Sequence, residues 1–171
     1  MINNEALSIV IPVYNEALSL IELYEEIKIN VTSFLIWEIL FVDDGSTDDS
    51  GEIIRSLHEK DKRVKLIQFH RNYGKSAALS EGFKTATGNF ILTMDADLQD
   101  DPKEIDNLFK KIQDGYDLVS GWKITRKDPL SKKIPSKFFN WVTRLMTGVK
   151  IHDFNCGLKL YRKRVVDTLE I

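Results

Sequence analysis

The sequence has little of what would cross-link a fold or span a membrane. It contains one cysteine, Cys156, so no disulfide can form within the chain, and a reducing cytoplasm is the expected location. No apolar run approaches the roughly 20 residues of a membrane-spanning helix. The first residues lack the basic region and the cleavage site of a signal peptide. We therefore expect a single globular domain over residues 1–171.

Several common nucleotide and metal motifs are also missing. No G-x-G-x-x-G follows the first apolar run, which leaves a dinucleotide site unsupported. The "GKS" at residues 74–76 resembles the end of a P-loop, but the earlier glycine would fall at Phe69. An EF-hand loop counted from Asp95 would need glycine where Asp100 stands. The three histidines show no metal-ligand spacing.

The net charge of −2 conceals an uneven distribution. Residues 121–150, called the basic segment below, hold eight basic side chains and one acid, Asp128. The basic side chains are Lys123, Arg126, Lys127, Lys132, Lys133, Lys137, Arg144 and Lys150. Such a block indicates either an anionic partner or a solvated basic helix face, and charge alone does not decide between them.

Part of the basic segment also carries bulky apolar residues at helical spacing. Residues 132–150 place Phe138, Trp141, Val142, Leu145 and Met146 along one predicted helix, with basic residues around them. This combination predicts an interfacial helix on anionic lipid. The alternative is a helix that packs in the core and leaves a basic face in solvent.

Short apolar runs alternate with segments of helical period. Strands are predicted at residues 7–13, 37–43, 64–69, 89–94 and 117–121. Helices are predicted at residues 18–34, at 46–61 with a capping box at Ser46 and Asp49, at 74–88, and from Pro102 onwards. Five such units predict an α/β fold with a mostly parallel central sheet and helices on both faces. Ligands of such sheets bind beyond the carboxyl ends of the strands, so residues 12–16, 43–46, 70–75, 95–101 and 122–126 are the informative positions.

The stretch "FILTMDADLQDDP", residues 90–102, places four carboxylates within seven positions after a strand. Asp95 and Asp97 can share one hard divalent cation, and Gln99 can add a neutral oxygen ligand. Mg²⁺ suits this arrangement because it binds one or two protein carboxylates and completes its shell with water and substrate phosphates. The alternative is a solvated turn.

A second acidic pair, Asp43 and Asp44, follows the second predicted strand. Ser46 or Thr47 already supplies a cap for the next helix, so the two carboxylates are surplus to capping. They can accept hydrogen bonds from a ribose or a base; a simple helix cap is the alternative.

Four linked motifs resemble one family. "SIVIPVYNE", "ILFVDDGSTDDS", "RNYGKSAALSEGFKTATGNFILTMDADLQDDP" and "DFNCGLKLYRK" closely resemble family 2 inverting glycosyltransferases of the GT-A fold. Within the family the match is best to the polyprenyl-phosphate branch, similar to dolichyl-phosphate mannosyltransferase and undecaprenyl-phosphate glucosyltransferases. The resemblance covers nearly the whole chain, with the motifs in order.

The resemblance implies roles for residues of the donor site. The nucleotide pocket would be lined by Pro12, Tyr14 and Glu16, with Val42 and Asp44 beside the base and ribose. Asp95, Ala96 and Asp97 would hold the donor, and a Mg²⁺ or Mn²⁺ cofactor would be bound by Asp95, Asp97 and Gln99. Alternatively, Pro12 ends an edge strand and Tyr14 packs in the core.

The resemblance also implies residues that act on the phosphates and the acceptor. Lys123 stands where the family's G-x-R motif has an arginine that neutralises the donor phosphates, and it keeps the charge without the bidentate fork. Lys132 and Ser136 match an R-x-x-x-S pattern for the lipid phosphate, again with lysine for arginine. Asp153 matches the acid that faces the reaction centre; alternatively it tethers the Cys156–Gly157 turn.

The implied reaction is the transfer of a hexosyl unit from a nucleotide-diphosphate sugar to a polyprenyl phosphate, with inversion. The rival interpretations are a saccharide or protein hydroxyl as acceptor, and a nucleotide-binding module without chemistry. No nucleic-acid partner is expected. Family members continue past the "GLKLYRK" strand and helix with a basic loop and often with transmembrane helices. We therefore expect a truncated chain, and a full-length protein at the cytoplasmic face of a membrane.

Overall fold

A six-stranded sheet organises the chain, as seen in a computed structural model that describes residues 3–121 and 156–168. The strands are β1 (Asn3–Val13), β2 (Phe34–Asp43), β3 (Val64–Gln68), β4 (Phe90–Thr93), β5 (Leu118–Ser120) and β6 (Lys159–Arg162). The helices are α1 (Leu20–Asn30), α2 (Ser50–Lys60), α3 (Lys75–Thr85), α4 (Ile105–Ile112) and α5 (Lys163–Val166), with a 3-10 helix at Pro102–Glu104.

The strand order is β3-β2-β1-β4-β6-β5. The first four strands in this order run parallel, whereas β6 lies antiparallel between β4 and β5. The predicted α/β class with a mostly parallel sheet is therefore confirmed. The fifth predicted strand, β5, does not pair with β4, because a strand from the far end of the chain lies between them.

Apolar side chains cover both faces of the sheet. Along β1, Leu7, Ile9 and Ile11 pack in the core beneath α1, α2 and α4, whereas Val10 packs with residues of α3 and α5 on the other face. Successive side chains of a strand point to opposite faces, so a strand covered on both sides is a continuous apolar run. This confirms the expectation of helices on both faces.

The first predicted helix extends too far along the sequence. The helix α1 ends at Asn30, the N–H of Val31 donates to the carbonyl of Ile27, and Phe34 begins β2. The ring centroid of Phe34 lies 4.4 Å from that of Phe109 on α4. A buried phenylalanine fits the pattern of a helix and that of a strand, so its periodicity did not locate the boundary.

The predicted capping box at Ser46 and Asp49 is wrong. The helix α2 begins at Ser50, and its N-cap residue Asp49 makes no side-chain capping hydrogen bond. The Ser46 hydroxyl instead accepts a hydrogen bond from the N–H of Asn15, at 2.9 Å. By contrast, Pro102 opens its helix as predicted, and Asp101 caps it by accepting from the N–H of Lys103.

None of the helices in residues 3–121 and 156–168 has the length and apolar character needed to cross a bilayer.

Candidate functional site

A pocket of about 310 Å³ opens where β1, β2 and β4 end. The carboxyl ends of these parallel strands meet at one edge of the sheet, so the loops that follow them form its walls. The lining residues are Pro12, Val13, Tyr14, Glu16, Asp44, Asn72, Gly74, Lys75, Asp95, Ala96 and Asp97. The pocket therefore unites residues from four of the five strand-end ranges that the sequence indicated; the fifth, 122–126, lies outside the described residues.

The loop after β1 is tied to the loop before α2. The N–H of Glu16 donates to the Ser50 hydroxyl at 3.0 Å, and the N–H of Ala17 donates to an Asp48 carboxylate oxygen at 3.1 Å. Asn15 has a left-handed backbone with φ of 58°, and its side-chain oxygen accepts from the N–H of Thr47. These bonds hold the loop in the turn that brings Glu16 to the pocket.

The two alternatives for the β1 end do not hold. Pro12 lies on a central strand rather than an edge strand, because β1 pairs with β2 on one side and β4 on the other. Tyr14 is 47% exposed and lines the pocket instead of the core.

The second acidic pair fixes loops rather than capping α2. Asp43 is fully buried and accepts hydrogen bonds from the N–H of Ser46 and the amide of Gln68, both at 2.9 Å. Asp44 accepts from the N–H groups of Tyr73 at 2.7 Å and Gly74 at 2.8 Å. Asp44 also lines the pocket, so it joins the β2 end to the start of α3 at the site itself.

The four carboxylates after β4 separate into two pairs. Asp95 and Asp97 line the pocket, and Lys75 Nζ contacts Oδ1 of Asp95. Asp100 is buried and accepts from the N–H of Asp95 at 3.1 Å, while Asp101 caps the 3-10 helix. One pair thus faces the pocket, and the other holds the turn.

The pocket is rich in negative charge. Burial raises the pKa of Glu16, and repulsion from Asp97 raises it further, with smaller contributions from Asp48 and Asp95 against a hydrogen bond from Ser19. A raised carboxylate pKa means that its neighbourhood disfavours another negative charge. A cation among these side chains would relieve that repulsion.

The residues present fit a hard divalent cation. Asp95 and Asp97 offer carboxylate oxygens at one wall of the pocket, and Mg²⁺ needs only one or two such ligands when phosphates and water complete its shell. Among residues 3–121 and 156–168, no group of three or more His, Cys, Asp or Glu side chains is arranged to hold a metal alone. The site therefore suits an ion that arrives with an anionic ligand.

The segment before β6 lies directly against Asp95. The Thr93 hydroxyl donates to the carbonyl of Gly157 at 2.7 Å. A Cβ added to Gly157 would lie 2.6 Å from Cγ of Asp95, so only glycine fits there without a shift. Cys156 is buried, as expected for a small apolar side chain.

The remaining predicted site residues fall elsewhere. Val42 is fully buried in the core with residues of α3 and is not among the lining residues. Gln99 is exposed and also outside the lining set; its N–H donates to Oδ1 of Asp97 at 3.1 Å. Four predicted residues lie outside the described residues: Lys123, Lys132, Ser136 and Asp153.

Four lining residues received no individual role from the sequence: Val13, Asn72, Gly74 and Lys75. The signal for the last three was present, because residues 70–75 follow the third predicted strand. "GKS" matches only the end of a P-loop motif that the sequence does not complete, so the sequence alone assigns no role to Lys75.

Acidic residues at the carboxyl edge of a parallel sheet, beside Lys75, line the pocket. The chain belongs to glycosyl transferase family 2, whose model matches residues 8–170. Among curated proteins, it is 41% identical over 164 residues to undecaprenyl-phosphate 4-deoxy-4-formamido-L-arabinose transferases of Salmonella paratyphi B and Salmonella newport. The alignment covers 95% of this chain and 50% of each relative, so the chain spans about half their length.

Solved structures share the fold. The mannosyltransferase PcManGT from Pyrobaculum calidifontis, in complex with GDP-Man and Mn²⁺, superposes with a TM-score of 0.72 at 24% identity, over 96% of this chain and 46% of that one. Glucosyl-3-phosphoglycerate synthase from Mycobacterium tuberculosis, with Mn²⁺, UDP-Glc and phosphoglyceric acid, gives 0.72 at 19% identity, over 94% and 57%. The fold is the GT-A fold.

Proposed function

We propose that this chain binds a nucleotide-diphosphate sugar in the pocket and transfers its glycosyl unit to a polyprenyl phosphate with inversion. The observation that carries the proposal is the pocket itself, which unites the "PVYNE", "VDDG" and "DAD" motifs in a member of glycosyl transferase family 2. The names of the curated relatives support undecaprenyl phosphate as acceptor. The hexosyl unit expected from the resemblance broadens to a glycosyl unit, because arabinose in those names is a five-carbon sugar.

Asp95 and Asp97 would hold Mg²⁺ or Mn²⁺, with Gln99 as a further oxygen ligand. When bound, the ion would stabilise the negative charge of the departing nucleoside diphosphate. Neighbours crystallised with Mn²⁺ and a nucleotide sugar support the choice of a divalent ion. The nucleotide would contact Pro12, Tyr14 and Glu16. Asp44 holds the start of α3 in place at the pocket, through the N–H of Gly74.

The acceptor chemistry depends on what attacks the sugar. A monophosphate has a second pKa of about 6, so at neutral pH it is largely a dianion and needs little help from a general base. Lys132 and Ser136 would bind that phosphate, and Lys123 would neutralise charge on the donor phosphates. A hydroxyl acceptor would need a positioned base, for which Asp153 is the candidate.

The acceptor lipid would place the protein at a membrane surface. The basic segment supports this, because an anionic lipid headgroup attracts a cluster of Lys and Arg side chains. We propose a cytoplasmic protein that is bound at, or anchored to, the inner face of the membrane.

The test combines a binding assay with a transfer assay. Calorimetry with UDP, GDP and TDP, in Mn²⁺, in Mg²⁺ and in EDTA, should give binding that requires metal. A radiolabelled-sugar assay should then give metal-dependent transfer into undecaprenyl phosphate, and slow donor hydrolysis when no acceptor is present. Equal nucleotide binding with EDTA and with metal would contradict the donor site. Transfer to a free saccharide, with none to the lipid, would contradict the acceptor.

A further inference from the structure

Lys75 supplies the positive charge of the pocket. Among the described residues that line it, four are acidic and Lys75 alone is basic. Lys75 is the first residue of α3, and its Nζ contacts Oδ1 of Asp95, the first carboxylate of the "DAD" motif. The ammonium group thus lies at one of the two carboxylates that suit a divalent ion.

The backbone before Lys75 is anchored, whereas its side chain is half exposed. The preceding residue, Gly74, is held through its N–H by the Asp44 carboxylate at 2.8 Å. The Lys75 side chain is 53% exposed and that of Asp95 is 27% exposed. An ion pair this exposed contributes little to stability, and a lysine side chain has four flexible carbons. The ion pair between Lys75 and Asp95 therefore adds little to the stability of the fold, and Lys75 can exchange Asp95 for another anionic partner at little cost in free energy.

A divalent ion and the ammonium compete for the same carboxylate. One carboxylate cannot bind both cations at full strength at the same time. The divalent ion carries twice the charge of the ammonium, so its attraction to Asp95 is stronger. The released ammonium stays in a pocket of about 310 Å³, next to the diphosphate that the ion would carry. A compact, flexible ammonium is well suited to phosphate oxygens.

We propose that Lys75 is a donor-binding residue: it neutralises Asp95 when no divalent ion is bound, and it transfers to the donor diphosphate when the ion takes Asp95. This inference rests on the proposed function, because it requires a metal-bound diphosphate in the pocket. When the metal ion binds Asp95, Lys75 leaves that carboxylate and contacts the diphosphate, so the two events are coupled.

The experiment measures two affinities of the full 171-residue chain by calorimetry. One is for Mn²⁺ alone, and the other is for UDP and GDP in saturating Mn²⁺. The variants are Lys75→Met, which removes the charge at similar length, and Lys75→Arg, which retains it. Lys84→Met, at an exposed position near the end of the same helix, is the matched control.

The two affinities should respond differently to Lys75→Met. Mn²⁺ should bind as tightly as in the parent or up to about fivefold more tightly, because a competing surface ion pair is gone. The nucleoside diphosphate should bind about tenfold or more weakly, because a charge-assisted contact is lost. Lys75→Arg should recover most of the diphosphate affinity, and Lys84→Met should match the parent in both. A residue with only a structural role would not lower the diphosphate affinity while leaving the Mn²⁺ affinity unchanged or higher.

Two results would overturn the inference alone: unchanged diphosphate affinity in Lys75→Met, or a fall in its Mn²⁺ affinity. Absence of binding of UDP, GDP and TDP alike to the parent chain would overturn the proposed function and this inference with it. Thermal unfolding of the variants checks the fold, and the exposed position of Lys75 predicts midpoints close to that of the parent.

Discussion

At the scale of single residues, the carboxylates after β4 differ in what they contact. Asp95 and Asp97 line the pocket, whereas Asp100 and Asp101 accept hydrogen bonds from the backbone of the turn. The same residue type therefore lines the pocket at two positions and supports local structure at two others. Substitutions at the first pair should change ligand affinity, and those at the second pair should change stability.

Asp97→Asn should separate binding from folding. Asp97 is exposed and its Oδ1 accepts a local hydrogen bond from the N–H of Gln99, which an amide oxygen can also accept, so the substitution leaves the turn intact. Loss of one charged metal ligand should weaken nucleoside diphosphate binding in Mn²⁺ by about tenfold or more. Calorimetry measures this, and Asp114→Asn, at an exposed ion pair with Lys111, is the control. Unchanged affinity in Mn²⁺ would remove Asp97 from the metal site.

Gly157→Ala should disturb the same site by displacing Asp95. The added methyl group would lie 2.6 Å from Cγ of Asp95, which must shift to accommodate it. We expect a loss of metal-dependent nucleotide affinity of about tenfold, as is common when a ligand of a polar site is displaced. Calorimetry in Mn²⁺ and in EDTA distinguishes this from general damage, which would lower the thermal midpoint without a specific effect of metal.

At the scale of elements, hydrogen bonds between loops fix the pocket. The loop after β1 is bound to the start of α2 through Glu16 and Ser50, and the loop after β2 is bound to the start of α3 through Asp44 and Gly74. Each of these bonds joins segments that are far apart in the sequence. The pocket is therefore a property of packed loops rather than of one motif.

Ser50→Ala should weaken the first of these connections. Ser50 is fully buried, and its removal leaves the N–H of Glu16 without that acceptor. We expect the free energy of unfolding to fall by about 1–2 kcal/mol and nucleotide affinity to fall with it. Urea unfolding and calorimetry measure the two effects, and Ser56→Ala, exposed on the same helix, is the control. A stable variant with normal affinity would show that this hydrogen bond does not position the loop.

A polar cluster at the amino end of β4 joins three strands. Glu38 on β2 accepts hydrogen bonds from the Ser8 hydroxyl at 2.6 Å and from the Thr87 hydroxyl at 2.8 Å, and it pairs with Lys65 on β3 at 2.6 Å. Burial opposes its charged form, but the bonds from Lys65, Ser8 and Thr87 outweigh burial and lower the pKa of Glu38 to about 2.

Glu38→Gln should reduce stability in a pH-dependent way. The pKa of Glu38 falls from 4.5 to about 2 on folding, so its contribution is complete above 4.5 and is lost as the pH falls towards 2. We expect a loss of about 2–3 kcal/mol at neutral pH. Urea unfolding at about pH 7 and about pH 3 should show the difference from the parent shrinking at acid pH. Glu52→Gln, exposed on α2, is the control, and a difference independent of pH would contradict the lowered pKa.

At the scale of the whole molecule, charge is unevenly distributed along the chain. The basic segment carries eight basic residues and one acid, while the net charge of the chain is −2. An anionic surface attracts the basic segment and repels the acidic remainder of the chain. The polyprenyl phosphate proposed as acceptor would be presented at such a surface.

The basic segment should direct binding to anionic membranes. The chain should sediment with vesicles that contain anionic lipid and not with neutral vesicles, and binding should fall as salt screens the charges. Replacing Lys133, Lys137 and Arg144 by glutamine should reduce sedimentation, whereas replacing Lys28, Lys60 and Lys110 should not. Equal binding to anionic and neutral vesicles would contradict the assignment.

Much of the fold was predictable from the sequence, because the periodicity of buried residues is a local property. The strands β1 to β4 and the alternation with helices followed from apolar runs and helical spacing, and the acidic residues at the strand ends indicated the edge where the pocket lies. Errors arose where a local pattern has two solutions. Phe34 fits a helix or a strand, and Ser46 fits a cap or a loop contact.

The sequence by itself determined the class of fold and the strand-end positions, since hydrophobic pattern and chain direction fix both. Only the tertiary structure decided the place of β6 in the sheet, the double role of Asp44 and the contact between Lys75 and Asp95. The physical reason is that each depends on where distant segments meet. A hydrogen bond or ion pair between such segments leaves no periodicity in the sequence, so it becomes visible only when the chain has folded.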